Sequence, residues 1–509
     1  MPVVSLRDAR APFVLAIDAG TSSVRALVFD QRGNPIEGAE AQLQYRIETT
    51  PDGGATYDAD ALLQLTVETV EQLAQSSEEV LSRVVAVGTT SFWHSLLGLD
   101  AEGNPSTPVF YWADTRSADD AIALRQELDA HAVWQRTGCR LHPSYWPAKL
   151  SWLQRTQPET VANVARWVSF PEYALGRLCQ PGAAAVTLCM ASGTGMLDVH
   201  SLTWDSELLE RFGLTPENLS PLVDLGPPAK LRPDYARRWP CLRDADWFPA
   251  LGDGACANVG CNAIGPGRMA LTVGTSAAMR MILPRDRHAT WDVPHGLWAY
   301  RLDAKNAVLG GALSNGGNFM RWLRETTNSP LDGEAARQAA ALPAASTGVT
   351  MLPFLAGERS PSWHDNASAV FFGLTQATAP ADLLRAGMEA VAYRLAAIYD
   401  HLEPLADDPF QILVNGGAIV DSPPWLQIIA DVLGHSLIPG DPGSETTARG
   451  AAMMAAILSG ISTASEWDQT DQLAGVTYEP NTADFPAYQE ARHHQEALER
   501  LLSEWGAFA

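Results

Sequence analysis

Cysteine is scarce in this chain of 509 residues, with six copies at positions 139, 179, 189, 241, 256 and 261, and no Cys-x-x-Cys pair. Cys256 and Cys261 stand nearest to each other, and no histidine lies beside them. Small buried apolar residues are therefore favoured over a zinc site. The scatter argues against a disulfide framework and predicts a reducing, cytoplasmic compartment.

Positive charge is also in short supply. Lys and Arg total 35 against 59 Asp and Glu, which gives a net charge of -24. Such a polyanion lacks the clustered cations that bind a nucleic-acid backbone or an anionic membrane surface. We therefore expect no nucleic acid and no membrane among its partners. An anionic ligand would need a local positive site.

Long apolar runs are missing as well. The N-terminal run Phe13–Ile17 ends at Asp18 and is far too short for a secretory signal or a membrane span. The overall composition, 46% hydrophobic and 18% charged, is typical of a soluble globular enzyme. The length predicts two or more domains.

Two hairpins of similar sequence stand out from this background. Each has a short apolar strand, a Gly-Thr-Ser turn and a second strand that carries an arginine; the strands are 13–17 and 24–30 about a turn at 18–23, and 269–273 and 277–283 about Gly274-Thr275-Ser276. Chance is the alternative, because these residues are common in turns. Two copies, each between predicted strands, favour a duplicated chain.

Strands and helices alternate along the rest of the chain, which predicts an α/β fold. A strand at 84–87 follows a helical pattern at Leu63, Val67 and Val70. The later elements are a strand at 411–414, a helix at 424–433, a polar surface helix at 483–505, and a long amphipathic helix with a stripe at Leu384, Met388, Val391, Leu395, Ile398 and Leu402. The boundary between domains 1–250 and 251–509 is placed near residues 247–252.

The two turns are candidates for binding phosphates. Gly20 lets backbone N–H groups approach a phosphate, while Thr21 and Ser22 add hydroxyl donors. Asp18 suits magnesium, which binds through one or two carboxylates, phosphate oxygens and water. Asp at a strand end is also a common turn former, so this motif alone is weak. A second turn at Gly274 and Thr275 would let two turns grip one polyphosphate.

Asp253 is a candidate catalytic base. It lies between Gly252 and Gly254, shortly before the second turn. Phosphoryl transfer to an alcohol needs a base near the hydroxyl and electrostatic cover for the phosphates. Taken locally, an ordinary Asp-Gly turn is the favoured interpretation.

Aromatic and charged residues between positions 93 and 149 suit a polyhydroxylated ligand. Trp93 with His94, and Trp112 with Asp114 and Arg116, combine rings for C–H faces with polar groups for hydroxyls. Arg116 or Lys149 would pair with a substrate carboxylate. The alternatives are a helix cap for Asp114 and a satisfied core position for His94.

Two glycine-containing segments of the second half complete the set of candidates. Asn415-Gly416-Gly417-Ala418 follows a strand and permits close approach by a base or phosphate. Arg449-Gly450-Ala451-Ala452 opens a small-residue helix. A tight strand-to-helix turn and close helix packing are the equally favoured alternatives.

Taken in order, these segments resemble the FGGY carbohydrate kinases, relatives of actin, hexokinase and the heat-shock ATPases. The likeness covers nearly the whole chain, and its segments are 18–22, 112–117, 149–153, 191–194, 204–205, 252–254, 274–276, 357–361, 371–374 and 416–418. Each segment is loose, and the ordered set is specific.

The resemblance implies two ribonuclease-H-like domains about a deep cleft, with sugar on the first domain and ATP on the second. It implies that Asp253 takes the proton from the accepting hydroxyl, and that Asp18 helps to hold Mg²⁺ and ATP. Cofactor contacts would come from Gly20, Thr21, Ser22, Gly274, Thr275, Gly416, Gly417 and Ala418. Sugar contacts would come from Trp93, His94, Asp114, Arg116 and Tyr145.

Within the family the chain looks most like gluconate kinases, through Trp93-His94-Ser95-Leu96 and the segments 112–117 and 357–363. Xylulose kinases share several of these features. The chain departs from the pattern with Phe-Phe-Gly-Leu at 371–374 and a bulky Trp146 near the expected sugar pocket. Other pentulose or polyol kinases, a pseudokinase that binds without transfer, and a chaperone ATPase are the alternatives. The oligomeric state, for which a homodimer is one option, stays open.

Overall fold

The computed structural model describes residues 3–180, 185–284, 291–330, 333–441, 445–466 and 476–508. Two large sheets form its frame. The first contains β1 (Phe13–Ala19), β2 (Ser23–Phe29), β3 (Pro35–Gln44), β6 (Val84–Ser91), β14 (Asp246–Trp247) and β15 (Leu251–Gly252). The second contains β16 (Arg268–Val273), β17 (Ala277–Pro284), β18 (Trp298–Arg301), β19 (Asn306–Leu313), β22 (Gln411–Asn415) and β23 (Leu437–Pro439).

The two sheets repeat one topology. In the first, the order is β14-β6-β1-β2-β3, with β1 antiparallel to β2 and parallel to β6. In the second, β23-β22-β16-β17-β19 follows the same order and directions, and β18 adds one edge strand. Every residue of β1 is buried, as expected for a central strand covered on both faces. The predicted duplication and the two-domain α/β fold of the actin and hexokinase type are confirmed.

Helices cover both sheets. Those of the first half are α1 (Ala59–Ser76), α2 (Glu78–Leu81), α3 (Ala118–Glu127), α4 (Ala130–Thr137), α5 (Trp146–Thr156), α6 (Pro158–Ala162), α7 (Phe170–Leu178), α8 (Leu188–Ser192), α9 (Ser206–Phe212), α10 (Pro233–Arg238) and α11 (Asp253–Gly260). Those of the second are α12 (Gly317–Thr326), α13 (Glu334–Ala341), α14 (Pro380–Leu402), α15 (Gly417–Val420), α16 (Pro423–Leu433), α17 (Thr446–Leu458) and α18 (Phe485–Glu504).

Short strands form further two- and three-stranded pieces outside the two large sheets. They are β4 (Glu48–Thr49), β5 (Ala55–Tyr57), β7 (Leu97–Leu99), β8 (Val109–Phe110), β9 (Arg166–Val168), β10 (Val186–Thr187), β11 (Leu197–Asp198), β12 (Thr203–Trp204), β13 (Leu222–Val223), β20 (Thr350–Leu352) and β21 (Val370–Phe372).

The helices α11 and α17 occupy equivalent places in the two halves and pack against each other. A Cβ atom at Gly260 would overlap the carbonyl of Thr446, and one at Gly450 would overlap the carbonyl of Cys256. Gly88 of β6 meets Ala451 in the same way. Close helix packing, one of the interpretations weighed for Gly450, is therefore confirmed. Because α17 also joins the core of the first sheet, the two halves share packed surface.

Several element predictions are confirmed, and one turn is corrected. The stripe on α14 is buried throughout. The first turn was predicted over 18–23, but the ladder of β1 and β2 continues through Asp18↔Arg25 and Ala19↔Val24. Only Gly20–Ser22 lies outside the strands, because β6 also pairs with Asp18 and Ala19 and holds them in the sheet. The division of the chain at residues 250 and 251 stays a prediction.

Within the described ranges, no helix has the length and apolar content that crossing a membrane requires.

Candidate active site

Each of the two candidate phosphate-binding turns connects two neighbouring central strands of its sheet. At the first, the amide of Gly20 donates to the carbonyl of Ser23 at 3.0 Å, and the Tyr45 hydroxyl donates to the Gly20 carbonyl at 2.6 Å. Ser22 is exposed and Thr21 half-buried, so their hydroxyls are accessible. At the second turn, Gly274 donates to Ser276 at 2.9 Å.

The second turn adjoins the glycine segment predicted to lie near adenosine. Gly317, the first residue of α12, donates its amide to the Gly274 carbonyl at 2.9 Å. A Cβ atom built on Gly317 would lie 2.6 Å from the Cβ of Ala418. Gly416 has a φ of 102° and passes against Val273, where a side chain would be both strained and obstructed. The fold thus brings Gly274, Gly416 and Ala418 together, as one ligand would require.

Asp18 is a buried carboxylate, and one of its oxygens has no hydrogen-bond partner among the described residues. That oxygen is Oδ1, and the exposed fraction of the residue is 7%. Burial, and next the negative charge of Asp253, raise the pKa of Asp18 to about 7, while Arg25 acts in the opposite direction. A carboxylate in this state lacks a cation, so the side chain fits a magnesium ion that takes its other ligands from phosphate and water. No group of three or more His, Cys, Asp and Glu side chains in the described ranges is arranged to hold a metal by itself.

Asp253 is the first residue of α11 and is half-buried. Its Oδ1 accepts a hydrogen bond from the Gly254 amide at 2.7 Å. Burial raises the pKa of Asp253, whereas this bond, the charges of Arg280 and Arg359 and the backbone N–H of Trp93 lower it. The residue therefore begins a helix rather than forming an isolated Asp-Gly turn.

Trp93 explains the two glycines that flank Asp253. A Cβ atom at Gly252 would overlap the indole ring, and one at Gly254 would lie 2.6 Å from Cζ3. The ring is 5% exposed and its Nε1 donates to the Cys189 carbonyl at 2.9 Å. Trp93 thus forms a wall beside the candidate base.

His94 and Tyr145 meet a residue from the other half of the molecule. The His94 ring lies 4.9 Å from the Tyr145 ring and 5.7 Å from the Tyr300 ring, and the two tyrosine hydroxyls are 2.7 Å apart. Burial lowers the pKa of His94 to about 3, so its imidazole is neutral, and its Nδ1 is hydrogen-bonded to the Gly193 carbonyl. Tyr300 lies on β18 of the second sheet and was not predicted.

Asp114 and Arg116 form an ion pair with each other. Nη2 of Arg116 lies 2.5 Å from Oδ2 of Asp114, and Nε lies 3.1 Å from Oδ1. Asp114 is 2% exposed and also accepts from the Ala55 amide at 3.0 Å, while Arg116 stands 4.5 Å over the Trp152 ring. These contacts support a structural role for both residues, and sugar contact by either one stays a prediction.

Lys149, the other cation considered for a substrate carboxylate, is turned inward. It is 1% exposed, and its Nζ donates to the carbonyls of Pro143 at 2.5 Å and Ser144 at 2.8 Å. Burial lowers the pKa of Lys149 to about 7. Both cations are thus engaged by protein groups, and a carboxylate contact by Arg116 or Lys149 stays a prediction.

Two sheets of one topology, each with a Gly-Thr-Ser hairpin, define the fold shared by actin, hexokinase and many sugar kinases. The chain belongs to the FGGY family of carbohydrate kinases: the model of the family's N-terminal domain matches residues 13–260, and that of its C-terminal domain matches residues 269–459. It is accordingly a carbohydrate kinase, and the sequence resemblance is confirmed.

Individual relatives agree with the family and differ in acceptor. A gluconokinase of Bacillus subtilis (strain 168) is 28% identical over 481 residues, which cover 92% of this chain and 91% of that protein. The crystal structure of gluconate kinase from Lactobacillus acidophilus superimposes with a TM-score of 0.87 at 26% identity and covers 98% of this chain and 99% of that one. A ligand-bound xylulose kinase from the same organism gives a TM-score of 0.87 at 26% identity, with 98% and 100% covered.

Proposed function

We propose that this kinase transfers the γ-phosphoryl group of ATP to a hydroxyl of a sugar acid, with gluconate as the favoured acceptor and 6-phosphogluconate as its product. One observation carries the proposal. Asp18, beside the first hairpin turn, and Leu251, two residues before Asp253, both pair with Thr90 of β6, so the two carboxylates stand at the same end of the first sheet. The charge of Asp253 accordingly raises the pKa of Asp18. One carboxylate thus adjoins the candidate phosphate turn, and the other is enclosed by sugar-side residues.

The roles follow from these positions. Asp253 accepts the proton of the attacking hydroxyl, and the hydroxyl oxygen bonds to the γ-phosphorus as the bond to the β-phosphate oxygen breaks, leaving ADP. Asp18 would hold Mg²⁺, which neutralises phosphate charge when bound. The turns at Gly20–Ser22 and Gly274–Thr275 would supply N–H and hydroxyl donors to the phosphates, and Gly416–Ala418 would adjoin the adenosine.

On the acceptor side, Trp93 covers one wall, while His94 and Tyr145 supply polar groups. Because the imidazole of His94 is neutral and Nδ1 faces the Gly193 carbonyl, Nδ1–H donates there and Nε2 is left as an acceptor for a sugar hydroxyl. This arrangement would position a hydroxylated acceptor next to Asp253.

Two observations favour gluconate over xylulose as the acceptor. The first is the similarity of this chain to the gluconokinase of Bacillus subtilis, and the second is the sequence of the segments Trp93-His94-Ser95-Leu96 and 112–117. The equal superposition on a xylulose kinase keeps a pentulose as the second candidate.

A coupled assay of ADP release over a panel of acceptors tests the proposal. The panel holds gluconate, xylulose, ribulose, glycerol and glucitol, each with MgATP. We expect the highest kcat/KM with gluconate. A preference for xylulose would replace gluconate by the second candidate. Binding of ATP and sugar with no turnover of any acceptor would establish a pseudokinase instead.

A further inference from the structure

A sugar-acid acceptor carries its carboxylate at the end of its carbon chain away from the reacting hydroxyl. The site therefore needs a cation at that end. Arg116 is bound to Asp114 and Lys149 to two carbonyls. Arg280, close to the second turn, is also engaged, with Nε 2.9 Å from Oδ1 of Asn258 and Nη2 2.8 Å from Oγ1 of Thr272. The Arg359 guanidinium, in contrast, is only partly hydrogen-bonded by the protein.

Arg359 is half-buried and has hydrogen-bonding capacity to spare. Its Nη2 donates to the Leu313 carbonyl at 3.2 Å. Its Nε is buried and has no hydrogen-bond partner in the part of the chain that the structure describes. The guanidinium carbon stands 5.2 Å from the centre of the Trp112 ring, which covers one face and leaves the edge for an anion. A planar guanidinium with an unused edge is suited to binding a carboxylate.

The neighbouring residue holds Arg359 in place. Glu358 is 3% exposed and accepts two hydrogen bonds from Arg394 of α14, from Nε at 2.6 Å and from Nη2 at 2.7 Å. The carbonyl of Gly357 accepts from Nδ2 of Asn315 at 2.9 Å. The segment before Arg359 is thus anchored to the second half, while its side chain reaches Trp112 of the first.

The surroundings of Arg359 are the acceptor side of the site. Burial dominates the pKa shifts of His94, Tyr145, Tyr300 and Asp253, and the charge of Arg359 lowers the pKa of every one of them. These are the candidate base and the three rings that meet beside it. Arg140 also has a buried Nε without a partner among the described residues, but it stands 4.5 Å over the Trp134 ring, and the charges that act on its pKa are those of Arg125, Tyr145 and Asp365 and not that of Asp253.

We propose that Arg359 binds the carboxylate of the acceptor across the cleft and thereby makes the kinase specific for sugar acids. The inference rests on the proposed function, since it assumes that the acceptor is an acid. Glu358 and Arg394 are positioning residues for this contact. The carboxylate would accept from Nε, which has no other hydrogen-bond partner in the described ranges, along that edge of the guanidinium.

Matched acceptors isolate the contact. Gluconate, gluconamide and glucitol share a chain and differ at the terminal carboxylate, amide or alcohol. Arg359→Gln should raise the KM for gluconate about 10- to 100-fold, as expected for a lost charge-assisted pair, and leave kcat within about threefold. The KM values for gluconamide and glucitol should hardly change. Arg359→Lys should restore part of the gluconate affinity but not the bidentate contact.

Control measurements distinguish a failure of carboxylate recognition by Arg359 from a failure of the proposed kinase function. Direct binding, followed by titration calorimetry with gluconate and gluconamide, gives a readout independent of turnover, and Arg243→Gln provides an exposed arginine as a matched control. Equal losses for acid and neutral acceptors, or a fall in kcat with every acceptor, would overturn carboxylate recognition while leaving the kinase proposal intact. A wild-type enzyme that neither binds nor phosphorylates gluconate would overturn both. If Arg359→Gln does not fold, the lysine variant and the gluconate-to-gluconamide affinity ratio of the wild type decide.

Discussion

The hydroxyls of Tyr145 and Tyr300 lie 2.7 Å apart and join the two halves of the kinase at the acceptor side of the cleft. Tyr145 immediately precedes α5, and Tyr300 is on the edge strand β18. Trp298 stacks on Tyr300 with ring centroids 4.2 Å apart, and Trp93 lies 4.8 Å from the same ring. The contact therefore ties the wall beside Asp253 to the second sheet.

A double-mutant cycle tests this tie. Tyr145→Phe and Tyr300→Phe each leave a buried hydroxyl without its partner, which costs about 1–3 kcal/mol of unfolding free energy. The double variant removes both hydroxyls, so it should cost less than the sum, with a coupling energy of about 0.5–3 kcal/mol. Urea unfolding of the four proteins measures the energies. Strict additivity would show that the pair contributes nothing of its own.

Replacing the candidate base should abolish most turnover without affecting the fold. Asp253→Asn keeps the shape and an acceptor oxygen for the Gly254 amide but cannot take a proton. We expect kcat to fall by roughly two to four orders of magnitude, the usual scale for general-base catalysis, with the melting temperature near that of the wild type. The exposed Asp244 offers a matched control through Asp244→Asn. A folded Asp253→Asn variant with near-normal turnover would rule out the role.

Asp18→Asn should change stability and activity in opposite directions. In the absence of nucleotide and Mg²⁺, the buried carboxylate of Asp18 has an unpartnered Oδ1 and faces the charge of Asp253. Above pH 7, where Asp18 is ionised, neutralising it should stabilise the free protein by about 1–3 kcal/mol, because burial and the charge of Asp253 penalise the carboxylate more than the charge of Arg25 offsets. The same change should lower kcat and increase the Mg²⁺ concentration needed for half-maximal rate. Thermal melts without ligand and magnesium titrations of the rate measure the two effects; a less stable variant would contradict the account.

Much of the frame was predictable because its signals are local. The strands 13–17 and 269–273 are continuous apolar runs, and each turn lies next to its own strand in sequence. The periodicity of residues 384–402 fixes one helix and its buried face without any distant partner. The tight turn at Gly416, one of the two interpretations given for that glycine, rests on the same kind of local signal.

The acceptor side was harder to predict because its residues come together only in the tertiary structure. Tyr300 lies on a short edge strand. Its place at the site depends on its contact with Tyr145, which lies far earlier in the chain. Arg116 and Lys149 have the right charge, but an ion pair and two carbonyls occupy them, and sequence alone does not reveal such partners. The segment Gly357–Pro361, which contains Arg359, is part of the sequence resemblance to the family. The resemblance assigned no role to the arginine.

A buried acid away from the site gives a prediction on pH. Glu172 of α7 is 5% exposed, and its Oε1 accepts from the Ser169 amide at 2.8 Å. Burial raises its pKa from 4.5 to about 7, and hydrogen bonds act against the rise. Because the folded protein holds the proton more tightly than the unfolded chain, the associated stability is full below about pH 4.5 and is lost as the pH rises through about 7.

Glu172→Gln removes this titration while keeping an acceptor oxygen for Ser169. The variant and the wild type should have similar unfolding free energies near pH 4.5, and above pH 7 the variant should gain on the wild type by up to about 2–3 kcal/mol. Denaturant unfolding between pH 4.5 and pH 8.5 measures the difference. The exposed Glu159 on α6 supplies the matched control substitution Glu159→Gln. A pH-independent difference for Glu172→Gln would mean that Glu172 has the same pKa in the folded and the unfolded protein, and that burial does not govern its proton.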